Sequence, residues 1–195
     1  MNMNKKMTYE VILETSYRLF AEHGFEKTSM SMIAKELGIS KPALYYHFAS
    51  KEALIDVLFE EICRDIDFSR FFDKRQYTKG NFEQRFIEDG LNMIGHQDQN
   101  YLQIMNQYHA LGYREPKYMR MLIEILEGYT RGFAELLQHG VDLGVLPEQD
   151  VLVRAELLTM IMDGMDNFMS YGFECRYEDI WKVTVLGLIK GDRVP

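Results

Sequence analysis

The sequence predicts an all-α protein, a three-helix head carrying a helix-turn-helix joined to a larger C-terminal helical body, about nine helices in total. Three observations carry that prediction. Apolar residues recur at helical spacing along almost the whole chain. No alternating apolar/polar run bounded by hairpin turns appears, nor any internal repeat. Glycine and proline interrupt the pattern at intervals that suit helix ends.

The first helix spans 8–23, with Ile12, Thr15/Ser16, Leu19 and Phe20 on one stripe and Gly24 as its stop. A second spans 30–37, where Met30, Ile33, Ala34 and Leu37 fall in phase before Gly38. A short third helix runs from Lys41 to Phe48. A fourth follows Ser50, with Leu54, Val57, Leu58 and Ile62 in phase, and fades near Asp67. Residues 69–81 mix charges and aromatics with Gly80 and read as a linker between head and body. Beyond them helices are expected at 82–95, 98–110, 117–139, 150–172 and 177–190. The head is taken as residues 1–52 and the body as 53–195.

With 195 residues, 47% of them hydrophobic, the chain is long enough to fold around a good core. The net charge of −8 is unevenly placed. Residues 1–51 hold seven Lys/Arg against five acids, whereas the rest holds 15 against 25, giving a basic head on an acidic body. No apolar run reaches the roughly 18 residues that a membrane-spanning helix needs. Met1–Met7 carries some positive charge with no apolar stretch behind it, unlike a signal peptide. Cys63 and Cys175 stand alone and read as reduced thiols, so a cytoplasmic protein is expected. There is no Walker-type glycine loop, His-Glu-x-x-His, Gly-x-Ser-x-Gly or cluster of acids with histidine. His23, His47, His96, His109 and His139 are scattered. No enzyme, cofactor or metal site is expected.

The informative stretch is Thr28 to Lys51. Thr28 or Ser29 can cap the second helix and leave N–H groups for a phosphate. Gly38 can take the left-handed conformation that a sharp turn between helices needs. Ser40 caps the third helix, and Pro42 falls in its first turn, where a missing N–H does no harm. At about 100° per residue, Leu44 and Phe48 fall together toward a core. Pro42, Ala43, Tyr46 and His47 fall opposite, with Tyr45 on the flank. Phenol and imidazole groups bond phosphates, while proline and alanine allow close approach to base edges, so this face suits a DNA groove. Lys41 and Lys51 bracket it and can hold the backbone on either side.

These residues resemble the TetR family of transcriptional regulators: Thr28, Ile33-Ala34, Gly38-Ile39-Ser40, Leu44-Tyr45-Tyr46-His47-Phe48 and Lys51-Glu52-Ala53-Leu54, within residues 8–62. The resemblance implies a third helix that enters the major groove of a double-stranded operator. By position it gives contact roles to Ser40, Lys41, Ala43, Tyr45, Tyr46, His47 and Lys51, and Thr28 and Pro42 complete the expected set. Pro42-Ala43 departs from the family's usual glycine followed by Thr, Ser or Asn, so fewer base hydrogen bonds are expected.

Residues 150–172 are apolar nearly all round and 177–190 largely so, which points to burial on more than one side. The resemblance implies a homodimer through these two helices, with recognition helices at half-sites one DNA turn or a multiple apart. It also implies a small-molecule effector of unknown class among the middle helices. The candidates are Phe86, Met105, Tyr108, His109, Leu126 and Tyr129, with Asp163 and Asn167 as polar partners, and thirteen methionines suit an adaptable apolar wall. Asp163 has two readings: it takes a cationic ligand, or it answers Arg131 or Arg154. The function expected is a repressor released from a palindromic operator by an effector. The alternative is an architectural or cell-division factor on the same fold with no effector, which a solid core throughout the middle helices would favour.

Overall fold

The computed structural model describes residues 3–96, 98–148 and 150–190, with side chains from Tyr9 onward. The described residues form ten α-helices and one 3-10 turn. The head holds α1 (Met3–His23), α2 (Met30–Glu36) and α3 (Lys41–His47), followed by α4 (Lys51–Asp65). Next come α5 (Phe68–Phe71) and the 3-10 turn (Lys74–Gln76), then α6 (Phe82–Gly95) and α7 (Gln99–Gly112). The last described helices are α8 (Pro116–Asp142), α9 (Val151–Ser170) and α10 (Tyr177–Lys190).

Local chemistry explains most boundaries. Ser29, Ser40 and Ser50 each accept a hydrogen bond from the backbone N–H three residues on, starting α2, α3 and α4. Asp98 and Asp150 do the same for α7 and α9. At the end of α2, Gly38 adopts φ +66°. Its N–H reaches Lys35 O while the N–H of Ile39 reaches Ala34 O, closing the helix in a Schellman motif.

Helical stripes then assemble into two cores. The first gathers Ile12, Leu19 and Phe20 of α1, Ile33 and Ala34 of α2, Leu44 of α3, and Phe48 just after it. It runs on through Leu54, Leu58 and Phe59 of α4 into Ile104 and Tyr108 of α7 and Tyr118 and Leu122 of α8. Ser16, fully buried on the α1 stripe, satisfies its hydroxyl on Ile12 O at 2.6 Å. The second core centres on Phe86, Phe133 and Trp181, with Phe72, Leu136, Leu158 and Val185 around them. Trp181 fits because Gly90 lacks a Cβ, which would lie 2.0 Å from the indole.

One expectation is corrected. Residues 69–81 are not a linker: Phe72 and Tyr77 are buried, Phe68 stacks on Phe72, and the Tyr77 hydroxyl donates to Asp89 at 2.6 Å. Aromatic residues in a charged stretch carried no helical phase, so their burial was invisible locally. The same segment supplies α5, which raises the α-helices from about nine to ten. The boundary drawn at 52/53 falls in the first turn of α4, a helix shared by the head core and the body.

Candidate nucleic-acid interface and ligand cavity

α3 turns one face inward and one outward. Leu44 is fully buried and Phe48 nearly so, while Ser40, Lys41, Pro42, Ala43, Tyr45 and Tyr46 are exposed. Tyr46 stands furthest out at 75% exposure, with the half-buried His47 ring edge-on to it at 5.4 Å. The Lys41 ammonium lies 5.7 Å from the centre of the Tyr45 ring. A short capped helix thus presents a cation, two phenols and small side chains on one surface. That inventory can bond phosphates and approach base edges closely.

Two residues expected on this face are elsewhere. Thr28 is fully buried, and its hydroxyl donates to Leu19 O at 3.1 Å; Ser29, not Thr28, caps α2. The Lys51 ammonium turns inward, donating to Phe25 O at 2.8 Å and Thr28 O at 3.3 Å. Both carbonyls belong to the turn after α1, so Lys51 ties the start of α4 to that turn. The spacing of a lysine along a helix does not reveal which way its flexible stem folds.

In the body, a cavity of about 100 Å³ lies between α7, α8 and α9, closed by Met93, His96, Ile66 and Phe71. Of the expected ligand residues, Met105, His109, Leu126, Tyr129, Asp163 and Asn167 line it. Phe86 and Tyr108 do not. Phe86 is fully buried in the second core, edge-on to Trp181 at 5.6 Å. Tyr108 stacks on Phe59 at 4.0 Å and donates its hydroxyl to Ile55 O at 2.8 Å, which ties α7 to α4. Sequence reasoning missed Tyr101, Asn106, Ile125, Thr159 and Asp166 in the wall. Helical phase could have found several of these, because 102, 105, 106 and 109 share one stripe of α7, and 159, 163, 166 and 170 share one of α9. Ile66 and Phe71 had no local signal.

The polar wall is acidic. Asp163 and Asp166 line it, and no Lys or Arg does so among the described residues. Neither Arg131 nor Arg154 answers Asp163: its carboxylate accepts from Asn167 Nδ2 at 3.2 Å, and Arg154 donates instead to Leu188 O. Burial lowers the His109 pKa, partly opposed by the charge of Asp163, so the ring is neutral at pH 7. The Tyr129 hydroxyl donates to Ile66 O at 2.7 Å, linking the wall to the C-terminal end of α4.

α4 is also gripped nearer its start. Asp56 accepts from Lys117 at 2.7 Å and from the Tyr118 hydroxyl at 2.7 Å, both at the beginning of α8. Gln107 of α7 clasps the head itself, accepting from Phe25 N at 2.6 Å and donating to Phe20 O at 2.8 Å. Gln107 was not foreseen, since an isolated glutamine gives no signal for a contact 82 residues away. A second groove, of about 350 Å³, lies between α1, α4 and the α6–α7 turn and shares Ile66, His96 and Tyr101 with the cavity.

Comparison with known proteins separates head from body. Residues 12–58 match the profile of the bacterial regulatory proteins of the tetR family. The uncharacterized HTH-type transcriptional regulator YerO of Bacillus subtilis (strain 168) is 57% identical over 53 residues, covering 27% of this chain and 18% of that protein. The matched stretch is thus under a fifth of that relative's length. Among solved structures, a TetR transcription regulator from Haloarcula marismortui aligns over 95% of this chain and 98% of its own, with TM-score 0.79 and 16% identity. A transcriptional regulator from Saccharomonospora viridis, in complex with choline, aligns over 96% and 97% with TM-score 0.76 and 21% identity. At those identities the likeness is one of fold.

Proposed function

We propose that this chain, a member of the TetR family of DNA-binding transcriptional regulators, is a cytoplasmic homodimeric repressor released from a palindromic operator by a small-molecule effector, and not an enzyme. The observation that carries the reading is a cavity between α7, α8 and α9 whose wall is bonded to the helix that runs on from the head. Tyr129 joins that wall to Ile66 at the end of α4, and Asp56 joins the same helix to α8. An effector that displaces the wall would tilt α4, and with it α3, so that two recognition helices no longer match half-sites about 34–36 Å apart.

The dimer surface follows from exposure. Val153, Leu157, Met160 and Phe168 are exposed apolar residues on one stripe of α9. Ile180 and Val183 continue it on α10. Gly164 and Gly187 lie within those faces with open space beside them, room for a partner helix to approach closely. In the operator complex, Ser40, Lys41, Pro42, Ala43, Tyr45, Tyr46 and His47 make the contacts, with shape and phosphate clamping supplying most of the grip. The alternative of an architectural factor without an effector is disfavoured by the cavity.

A gel shift with the DNA upstream of the chain's own gene tests this. Retarded migration with a near-palindromic segment, abolished by Tyr46→Ala together with Lys41→Ala, is expected. Failure to bind any palindrome there, or binding that survives the double substitution, would refute it.

A further inference from the structure

The cavity's charge is settled by the helices that build it. α9 contributes Asp163 and Asp166 with Thr159, Asn167 and Ser170, α7 contributes the neutral His109 with Asn106 and Tyr101, His96 adds an imidazole, and the remaining wall is apolar or aromatic. Carboxylates beside so much apolar surface are costly unless something compensates them. Inside the protein Asp163 receives only a neutral amide, and no ion pair reaches it among the described residues. The Tyr101 phenol lines the same wall, where burial raises its pKa well above the ordinary value. A carboxylate with no ion-pair partner among the described residues, facing a largely apolar space, suits a ligand that brings positive charge.

The adjoining groove has the same sign. Glu14, Glu61, Asp65 and Asp98 line it without any Lys or Arg among the described residues. Arg64 pairs with Glu61 and Arg70 with Asp65 outside the groove, which leaves Glu14 and the helix-capping Asp98 to set its field. Because the groove shares Ile66, His96 and Tyr101 with the cavity, it forms a negative approach that concentrates cations at the cavity's edge.

We infer that the cavity binds a lipophilic organic cation, an ammonium centre held by Asp163 and Asp166 with its apolar or aromatic body against Met105, Leu122, Ile125 and Tyr129. Aromatic side chains around the site (Phe71, Tyr101, Tyr129) add cation–π attraction. Anionic ligands are rejected by the same two carboxylates. The inference rests on the effector reading above only for its consequence at DNA; the binding itself stands without it.

The test is calorimetry on the full chain with three probes sharing a phenyl group: benzyltrimethylammonium, the neutral 3-phenylpropan-1-ol and the anionic 3-phenylpropionate. The cation is expected to bind at least tenfold tighter than either of the others. Asp163→Asn with Asp166→Asn is expected to weaken the cation about tenfold or more while changing the neutral probe less than about threefold. Circular dichroism melting of the double variant verifies that it is folded, and each single variant provides the same comparison if the double is not. Equal or tighter binding of the neutral or anionic probe overturns the inference, as does cation affinity unchanged in the folded variants or no cation binding at about 10 mM. The same titrations are read at the operator. A neutral or anionic probe that releases DNA leaves the effector reading standing and removes the cation. A cation that binds without releasing DNA does the reverse.

Discussion

Lys51→Met separates a structural lysine from a DNA-binding one. The substitution keeps most of the aliphatic stem and removes an ammonium that donates to Phe25 O at 2.8 Å and to Thr28 O at 3.3 Å. A hydrogen bond from a charged donor is worth about 1.5–3 kcal/mol, and the longer of the two adds less than the shorter. Lys51 is also the first residue of α4, where positive charge opposes the helix dipole, so its removal returns about 0.3–1 kcal/mol. The net loss expected is about 2 kcal/mol. With a urea slope of about 2 kcal/mol/M, the unfolding midpoint falls by about 1 M, read by far-UV circular dichroism.

The second arm is salt dependence of operator binding by fluorescence anisotropy. Each phosphate contact contributes about 0.9 to the slope of log K against log salt, so Lys41→Met should lower the slope by about 1.8 for a dimer. Lys51→Met should leave it unchanged, because its ammonium is committed to backbone carbonyls. A Lys51→Met protein with an unaltered midpoint and a slope reduced like that of Lys41→Met would refute the assignment and return Lys51 to the phosphate-contact set.

Gly90→Ala should destabilise by about 3 kcal/mol or more, since the new methyl meets the indole ring and the Trp181 N–H loses its carbonyls on Phe86 and Ile87; fluorescence of the single tryptophan during urea unfolding reports it. Gln107→Leu removes the clasp on Phe20 and Phe25 and leaves the Phe25 N–H without its acceptor, at a cost of about 1–3 kcal/mol. Operator affinity without ligand should change little while ligand-induced release weakens, measured by anisotropy with and without ligand. Met160→Glu places a charge at the most exposed point of the α9 stripe and should shift sedimentation from dimer toward monomer; an unaltered dimer would place the interface elsewhere. At pH 8, Cys63 should alkylate far more slowly than a free thiol, because burial pushes its pKa up to about 11 and leaves a thiolate fraction of about 10⁻³; mass spectrometry of iodoacetamide-treated protein checks this.

The head was legible because its information is local. Ser29, Ser40 and Ser50 cap helices through bonds three residues long, Gly38 closes α2 within five, and the two-sidedness of α3 follows from angle alone. Those short-range rules fixed the all-helical class, the boundaries of α2 to α4 and the outward face with Tyr45 and Tyr46. They fail where a side chain has a choice of neighbours. Thr28 had two places for its hydroxyl, and burial against α1 chose Leu19 O. Lys51 had solvent or the turn behind it, and the turn offered two unshared carbonyls. Phe86 stood on an expected helix as a ligand candidate and Phe71 in an expected linker, yet Phe71 lines the cavity and Phe86 fills the second core, because α5 docks beside α8 while α6 docks beneath Trp181. A helical period tells which face of each helix is apolar, but not which helix covers it. The cavity, its two carboxylates and its bonds to α4 exist only once α7, α8 and α9 have packed across separations of some 60 residues, where docking geometry and not sequence spacing decides who meets whom.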